Sequence, residues 1–136
     1  MRRRDQRRAA VFALYQHDVT GRPVGELLGA GAALFSTALT EAVGAHREEL
    51  DAVIERNATG WHVERVAPLE RAILRVALLE LLHPEQLPGD SPIPAEGAID
   101  EAVETAKTFC GADAPGFVNG ILGAAYREVR ENPSAR

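Results

Sequence analysis

Cysteine and aromatic residues are scarce in this 136-residue sequence, which holds one cysteine, Cys110, and only 5% Phe, Trp and Tyr. A single thiol cannot close an internal disulfide or build a structural zinc site, so nothing indicates an oxidising compartment. No apolar run is long enough to span a membrane, and residues 16–18 (Gln-His-Asp) interrupt the segment after the basic amino terminus, which excludes a signal peptide. These absences predict a cytoplasmic protein without a membrane partner.

Motifs of common enzymes are missing as well. The sequence has no phosphate-binding loop, no strand followed by a dinucleotide-binding glycine motif and no paired-histidine metalloprotease motif. The four histidines, at positions 17, 46, 62 and 83, lie far apart without metal-ligand spacing. Cys110 follows a predicted helix among apolar residues, where a structural thiol is more common than a catalytic one. The sequence therefore predicts no catalytic residue, no metal and no cofactor.

Positive charge is concentrated at the amino terminus. The formal net charge is -5, yet residues 1–8 contain five Arg and one Asp, a local charge of +4 that leaves -9 for the rest of the chain. A nucleic acid responds to the concentrated basic segment rather than to the average charge. The sequence is thus compatible with a nucleic-acid binder despite its acidic composition.

Apolar residues recur at helical spacing along the chain, and no useful stretch alternates as a strand does. We predict helices over residues 4–19, 24–28, 68–82 and 95–109, two more on the apolar stripes 34–43 and 50–54, and a last one after residue 113. The helix 68–82 carries apolar residues on two faces and is predicted to be central. Phe109 belongs to the predicted buried face of its helix, and Asp113 is predicted to cap the last helix.

Three surface features are candidates for function. On the first helix, Arg4, Arg8 and Tyr15 share a stripe beside a second stripe of Arg3 and Arg7, an arrangement suited to phosphates and unpaired bases. A solvated basic end, with Tyr15 in the core, is the ordinary alternative.

The second feature is the turn 110–117, where helix N–H groups could bind an anion, or where Phe117 simply enters the core. The third is the run of Glu70, Arg71 and Arg75, which is typical of salt-bridge decoration along one exposed helix face.

Three stretches together resemble the NusB family of transcription antitermination factors. They are the arginine motif at positions 3, 4 and 7 with Ala13-Leu14-Tyr15, the predicted central helix at residues 69–81, and residues 98–109 continuing to 117–122. The resemblance covers essentially the whole chain and is most specific in the last stretch. Residues 22–66 match poorly and support no site assignment.

This resemblance implies an all-α bundle of about seven helices in two perpendicular three-helix units, forming one RNA-binding domain over residues 1–136. Residues 1–3 are expected to be flexible and residues 131–136 to fray. The family binds the single-stranded boxA element of leader transcripts such as those of rRNA operons, together with the ribosomal protein NusE. The pair joins the RNA polymerase antitermination complex, and some members form homodimers.

Carried over by position, the resemblance assigns RNA contacts to the arginine motif and places four more residues around the RNA site. These candidate residues are Arg3, Arg4, Arg7, Tyr15, Glu70, Asp113 and Phe117. Asp5 lies inside the arginine cluster, and the loop 110–116 lacks additional charges, so we expect the RNA affinity to depend on the partner. A related domain precedes the catalytic unit of rRNA cytosine methyltransferases; without a nucleotide-binding unit, the sequence excludes that enzyme unless it is a fragment. A scaffold or homo-oligomer remains the third alternative.

Overall fold

The computed structural model describes residues 2–132, and every regular element within them is helical. The seven α-helices are α1 (Arg3–Thr20), α2 (Val24–Leu28), α3 (Leu34–Ala45), α4 (Arg47–Asn57), α5 (Pro68–Leu82), α6 (Ala95–Phe109) and α7 (Ala114–Glu131). Two short 3-10 turns, Val63–Arg65 and Pro84–Gln86, lie in the connections before and after α5. The predicted all-α architecture of about seven helices is confirmed.

Helix ends follow local sequence signals. Gly21 ends α1 with φ of +77°, a left-handed conformation that suits glycine, and its N–H donates to the carbonyl of His17 at 2.8 Å. Pro68 occupies the first turn of α5, where its missing N–H has no helical partner to lose. Asp113 does precede α7, but its side chain makes no capping hydrogen bond, so the predicted side-chain cap is wrong.

The core is organised around α5, which packs against α1, α3, α4, α6 and α7. Ten of its fifteen residues are buried, so its predicted central position is confirmed. Helices α1, α2 and α3 contact one another and form one unit, while α5, α6 and α7 form a second. The packing of α1 against α5 joins the two units and places the basic first helix beside the middle of the bundle.

Two apolar residues that the periodicity predicts to be buried lie on the surface instead. Leu34, the first residue of α3, is 75% exposed, and Phe109, the last residue of α6, is 44% exposed. Both are terminal residues of their helices, where fewer neighbouring side chains surround a residue than at the middle of a helix. The exposed part of the Phe109 ring is available as an aromatic surface.

Helical order reaches close to both ends of the described chain. The first helix starts at Arg3, inside the segment expected to be flexible, and α7 includes Glu131, the first residue expected to fray. Met1 and residues 133–136, which belong to the same expectations, lie outside the described residues. None of the helices in residues 2–132 is long and apolar enough to cross a membrane.

Candidate nucleic-acid interface

Arg4 is exposed on α1 and paired with a carboxylate of α6. Its Nε and Nη2 donate to the two carboxylate oxygens of Glu101, each at 3.0 Å. These hydrogen bonds, more than the opposing desolvation, lower the pKa of Glu101 below its usual value. Arg4 is therefore at the surface, but its charge is largely balanced by Glu101.

Arg7 lies on the inner side of the same helix. Its Nε and Nη2 donate to the two carboxylate oxygens of Glu80, on α5, at 2.6 and 2.9 Å, and only 9% of Arg7 is exposed. Such a bidentate pair fixes the position and the orientation of both side chains. Arg7 thus holds α1 against α5 and does not face solvent.

Arg3 lies over the ring of Phe35, with its guanidinium carbon 4.0 Å from the ring centroid. It also donates to the carbonyl oxygen of Pro88 at 3.2 Å, which brings the loop after α5 against α1. Gly89 in this loop has φ of +116°, and a Cβ there would lie 3.0 Å from Arg3 Nη2. The loop and Arg3 therefore support each other around one cavity, which Arg7 and Phe35 also line.

Arg8 belongs to the arginine stripe of the first helix, but the resemblance assigned it no RNA contact; its guanidinium faces an aromatic ring. Its guanidinium carbon lies 5.3 Å from the ring centroid of Phe109, and Phe109 meets Phe12 edge to face at 4.9 Å. Within residues 2–132, Arg8 Nε is the one buried side-chain polar atom without a hydrogen-bond partner. We call Arg8, Phe12 and Phe109 the α1–α6 cluster. The spacing of Arg4 and Arg8 could have indicated it, but the contact with Phe109 depends on helix packing.

A second group of candidate residues lines a pocket where α5, α7 and the segment before α5 meet. Glu70, Asp113 and Phe117 share this pocket with Trp61 and Arg65, and we call it the Trp61 pocket. Partial burial in this pocket raises the pKa of the Glu70 carboxyl group. Trp61 is 53% exposed, a feature that the poorly matching middle region gave no means to recognise.

Cys110 lies between the two groups. It follows Phe109 of the α1–α6 cluster, and the pKa of its thiol is raised first by burial and then by the negative charge of Glu70. Tyr15 is partly buried and packs against the core. It lines neither the cavity formed by Arg3, Arg7 and Phe35 nor the Trp61 pocket. The candidate residues thus form two groups, connected along the end of α6.

Arg71 and Arg75, expected to decorate one helix face, instead point to carboxylates on other helices. Arg75 donates to Asp18 Oδ2 and to Asp51 Oδ1, each at 2.7 Å, and Arg71 donates to Asp18 at 3.2 Å. The prediction of local salt-bridge decoration is wrong because α1 and α4 supply partners that periodicity cannot locate. The resulting ion network ties the start of α5, and with it Glu70, to the bundle.

The fold and these surfaces define a small all-helical binding protein, with arginine and aromatic side chains grouped along α1, α6 and α7. The sequence model of the NusB family matches residues 4–127. The transcription antitermination protein NusB of Rubrobacter xylanophilus is 42% identical over 135 residues, covering 95% of this chain and 93% of that protein. The protein of the same name from Symbiobacterium thermophilum is 40% identical over 147 residues, covering 96% of this chain and 92% of that protein.

Solved structures agree with these relatives. NusB of T. maritima matches with a TM-score of 0.81 at 28% identity, covering 94% of this chain and 92% of that chain. A chain in the crystal structure of the antitermination factors NusB and NusE in complex with dsRNA matches with a TM-score of 0.77 at 26% identity, covering 93% and 96%. The chain belongs to the NusB family. It is a transcription antitermination factor and not an enzyme.

Proposed function

We propose that this chain binds boxA-type single-stranded RNA together with the ribosomal protein NusE, in the cytoplasm, and promotes processive transcription of rRNA operons within the RNA polymerase antitermination complex. The observation that carries the RNA-binding part is the α1–α6 cluster, in which a basic side chain lies over an exposed aromatic ring. A structurally similar chain occurs in a complex of NusB and NusE with dsRNA, which supports RNA and NusE as partners without fixing the form of the RNA.

In this proposal, arginine and aromatic side chains contact different parts of the RNA. The guanidinium groups of Arg3, Arg4 and Arg8 contact phosphates, which they can bind through two N–H groups at once. The rings of Phe109 and Phe117 offer faces on which unpaired bases stack. A duplex keeps its bases stacked on one another, so this surface favours a single strand over the double-stranded form.

The acidic residues of the Trp61 pocket give the surface its register. Glu70 and Asp113 accept hydrogen bonds from base edges and repel backbone phosphates, so a strand is held with its bases toward the pocket. The geometry favours a positioning role for Arg7, because a phosphate contact requires breaking its buried bond to Glu80.

Partner dependence follows from the same contacts. Glu101 competes with phosphate for Arg4, and Asp5 adds a negative charge to the arginine cluster. The affinity of the free chain for RNA is therefore low. NusE supplies a second RNA-contacting surface, and the two together bind more tightly through their effective concentration.

A pair of charge-neutral double variants tests the RNA surface. Arg4→Gln with Glu101→Gln removes an ion pair at the proposed interface, and Arg56→Gln with Glu128→Gln removes an exposed pair between α4 and α7. Binding of a boxA oligonucleotide is titrated against salt, with and without NusE. We expect the slope of log affinity against log salt to fall by about 0.7 only in the first variant, which loses one phosphate contact on a single strand.

Three further measurements complete the test. A scrambled strand and a boxA duplex should both bind more weakly than the boxA strand. Light scattering with and without RNA should show whether a homodimer hides α1 in the free protein. Equal salt slopes for both double variants and for the wild type would exclude Arg4 from the interface.

A further inference from the structure

Two histidines that are 37 positions apart in the sequence are stacked on each other in the structure. His46 lies at the junction of α3 and α4, His83 ends α5, and their ring centroids are 4.0 Å apart with an interplanar angle of 20°. The expectation that the histidines lack ligand spacing holds for the sequence but not for the fold. The antiparallel packing of the helices brings both rings to the same end of the bundle.

A carboxylate completes the group. Glu49 Oε1 lies 3.3 Å from His46 Nδ1 and 2.6 Å from His83 Nε2, and one ligand atom from each of the three residues falls within 4.8 Å of the others. Tetrahedral zinc, with ligand bonds near 2.0–2.2 Å, places its ligand atoms about 3.4 Å apart. The His46–Glu49 separation already fits this geometry. To bind an ion, the Glu49–His83 contact must lengthen and the two stacked rings must turn apart so that their nitrogen lone pairs converge.

We propose that His46, Glu49 and His83 form a binding site for a divalent transition-metal ion of the Zn²⁺ type. Two imidazole nitrogens and one carboxylate oxygen are a donor set that zinc uses, with water in the fourth position. Imidazole favours Zn²⁺, Co²⁺, Ni²⁺ and Cu²⁺, whereas Mg²⁺ and Ca²⁺ prefer oxygen ligands. The site therefore selects a borderline-soft ion.

Both imidazoles have polar partners on the side away from the proposed ion. Glu85 Oε1 lies 3.5 Å from His83 Nδ1, where a carboxylate favours the tautomer that leaves Nε2 free for metal. Gln86 Nε2 lies 2.7 Å from His46 Nε2. With metal on Nδ1, His46 Nε2 carries the proton, and the Gln86 amide turns its oxygen toward it to accept.

Backbone hydrogen bonds already hold both histidines at helix ends, so forming the site costs little further backbone conformational freedom. The N–H of His46 donates to Ala42 at 3.0 Å, and the N–H of His83 donates to Leu79 at 2.8 Å. A bound ion would tie the start of α4 to the beginning of the loop that follows α5. Pro88 of this loop accepts the hydrogen bond from Arg3, so metal would also stabilise the support of the basic helix.

Calorimetric titration of the full chain, purified without a histidine tag and treated with chelator, tests this site. We expect one equivalent of Zn²⁺ to bind, an excess of Mg²⁺ not to displace it, and Co²⁺ to give the visible absorption of a four-coordinate site. His83→Gln and Glu49→Gln should each weaken Zn²⁺ binding at least about ten-fold, the smallest loss typical even of outer-shell changes.

His62→Gln is the matched control, because His62 Nδ1 lies 3.0 Å from Glu55 Oε2 but has no second histidine beside it. This variant should bind Zn²⁺ as the wild type does. Circular dichroism checks that each variant is folded. If His83→Gln does not fold, Glu49→Gln still tests the site. Absence of Zn²⁺ binding by the wild type, or an equal loss in all three variants, would overturn the proposal and leave an ordinary ion pair bridged by Glu49.

Discussion

Replacing Asp18 by asparagine is expected to destabilise the fold more than any exposed ion-pair change. The Asp18 carboxylate is 5% exposed and is contacted by Arg75 at 2.7 Å, Arg71 at 3.2 Å and Arg47 at 3.3 Å. It connects α1 to α4 and α5 through these three arginines. Asparagine keeps the size and one acceptor oxygen, so Asp18→Asn removes the charge without opening a cavity.

The magnitude follows from what remains. Removing one member of a buried ion pair costs about 3–5 kcal/mol, because the other charge stays buried without compensation. Arg75 keeps Asp51, which accepts from its Nε and Nη2 at 2.7 and 3.0 Å. We therefore expect the lower end, about 3 kcal/mol of unfolding free energy at neutral pH.

The same network makes this cost depend on pH. Burial acts to raise the pKa of Asp18, but Arg75, Arg47 and Arg71 outweigh it, and the pKa lies below its usual value. A carboxylate with a lowered folded-state pKa contributes stability above its unfolded pKa and loses it as the pH falls through the folded pKa. The stability difference between wild type and Asp18→Asn should therefore be full at neutral pH and shrink in acid.

Urea unfolding measures both effects, from neutral pH down to the lowest pH at which both proteins remain folded. Glu128→Gln is the control, since its partner Arg56 is exposed and the pair at 2.9 Å should contribute at most about 1 kcal/mol. A cost for Asp18→Asn as small as that of the control would refute the reasoning. A cost that stays constant as the pH falls would refute the assignment of the pH dependence to Asp18.

Three further substitutions have signs that the structure fixes. Gly21→Ala should lower stability by about 1–2 kcal/mol in thermal unfolding, because φ is +77°, although a new Cβ would meet no atom beyond the adjacent residues within 4 Å. Gly120→Ala, equally open but inside α7, should raise stability by about 0.5–1 kcal/mol, and equal signs would contradict the backbone explanation. Burial raises the pKa of Glu70, so the charged carboxylate destabilises the fold above the folded-state pKa and has no such effect below the unfolded-state pKa. Glu70→Gln should therefore increase stability at neutral pH and change it little in acid. A decrease in stability at neutral pH, measured by urea unfolding, would contradict this.

Local chemistry explains why the helices were predictable. Pro68 marks the start of α5, and apolar residues on two of its faces indicate that neighbours cover it on several sides. Phe109 shows the limit of the same reasoning. Periodicity assigns a residue to a face, but it does not show how much of a ring at a helix end the neighbouring helix covers; Phe109 contacts α1 and is still 44% exposed.

Side-chain partners were not predictable, because they depend on how the helices pack. Arg7 and Glu80 are separated by 73 positions, and Arg75 and Asp18 by 57. Without the packing of α1 on α5, the arginines of both helices read as surface charges. The sequence therefore predicted which residue types would form an interface, and that prediction is untested; it could not tell an arginine that faces solvent from one that holds two helices together.

This distinction changes how the basic helix can act on RNA. At Arg4, a phosphate must replace the carboxylate of Glu101, so much of the attraction is offset by the lost ion pair. At Arg8, the guanidinium lies over Phe109 and no carboxylate within residues 2–132 forms an ion pair with it, so a phosphate that contacts it has no paired carboxylate to displace. Because Arg4 and Arg7 are paired with Glu101 and Glu80, the formal charge of residues 1–8 overstates the electrostatic contribution of α1, and its attraction for phosphates depends more on Arg3 and Arg8.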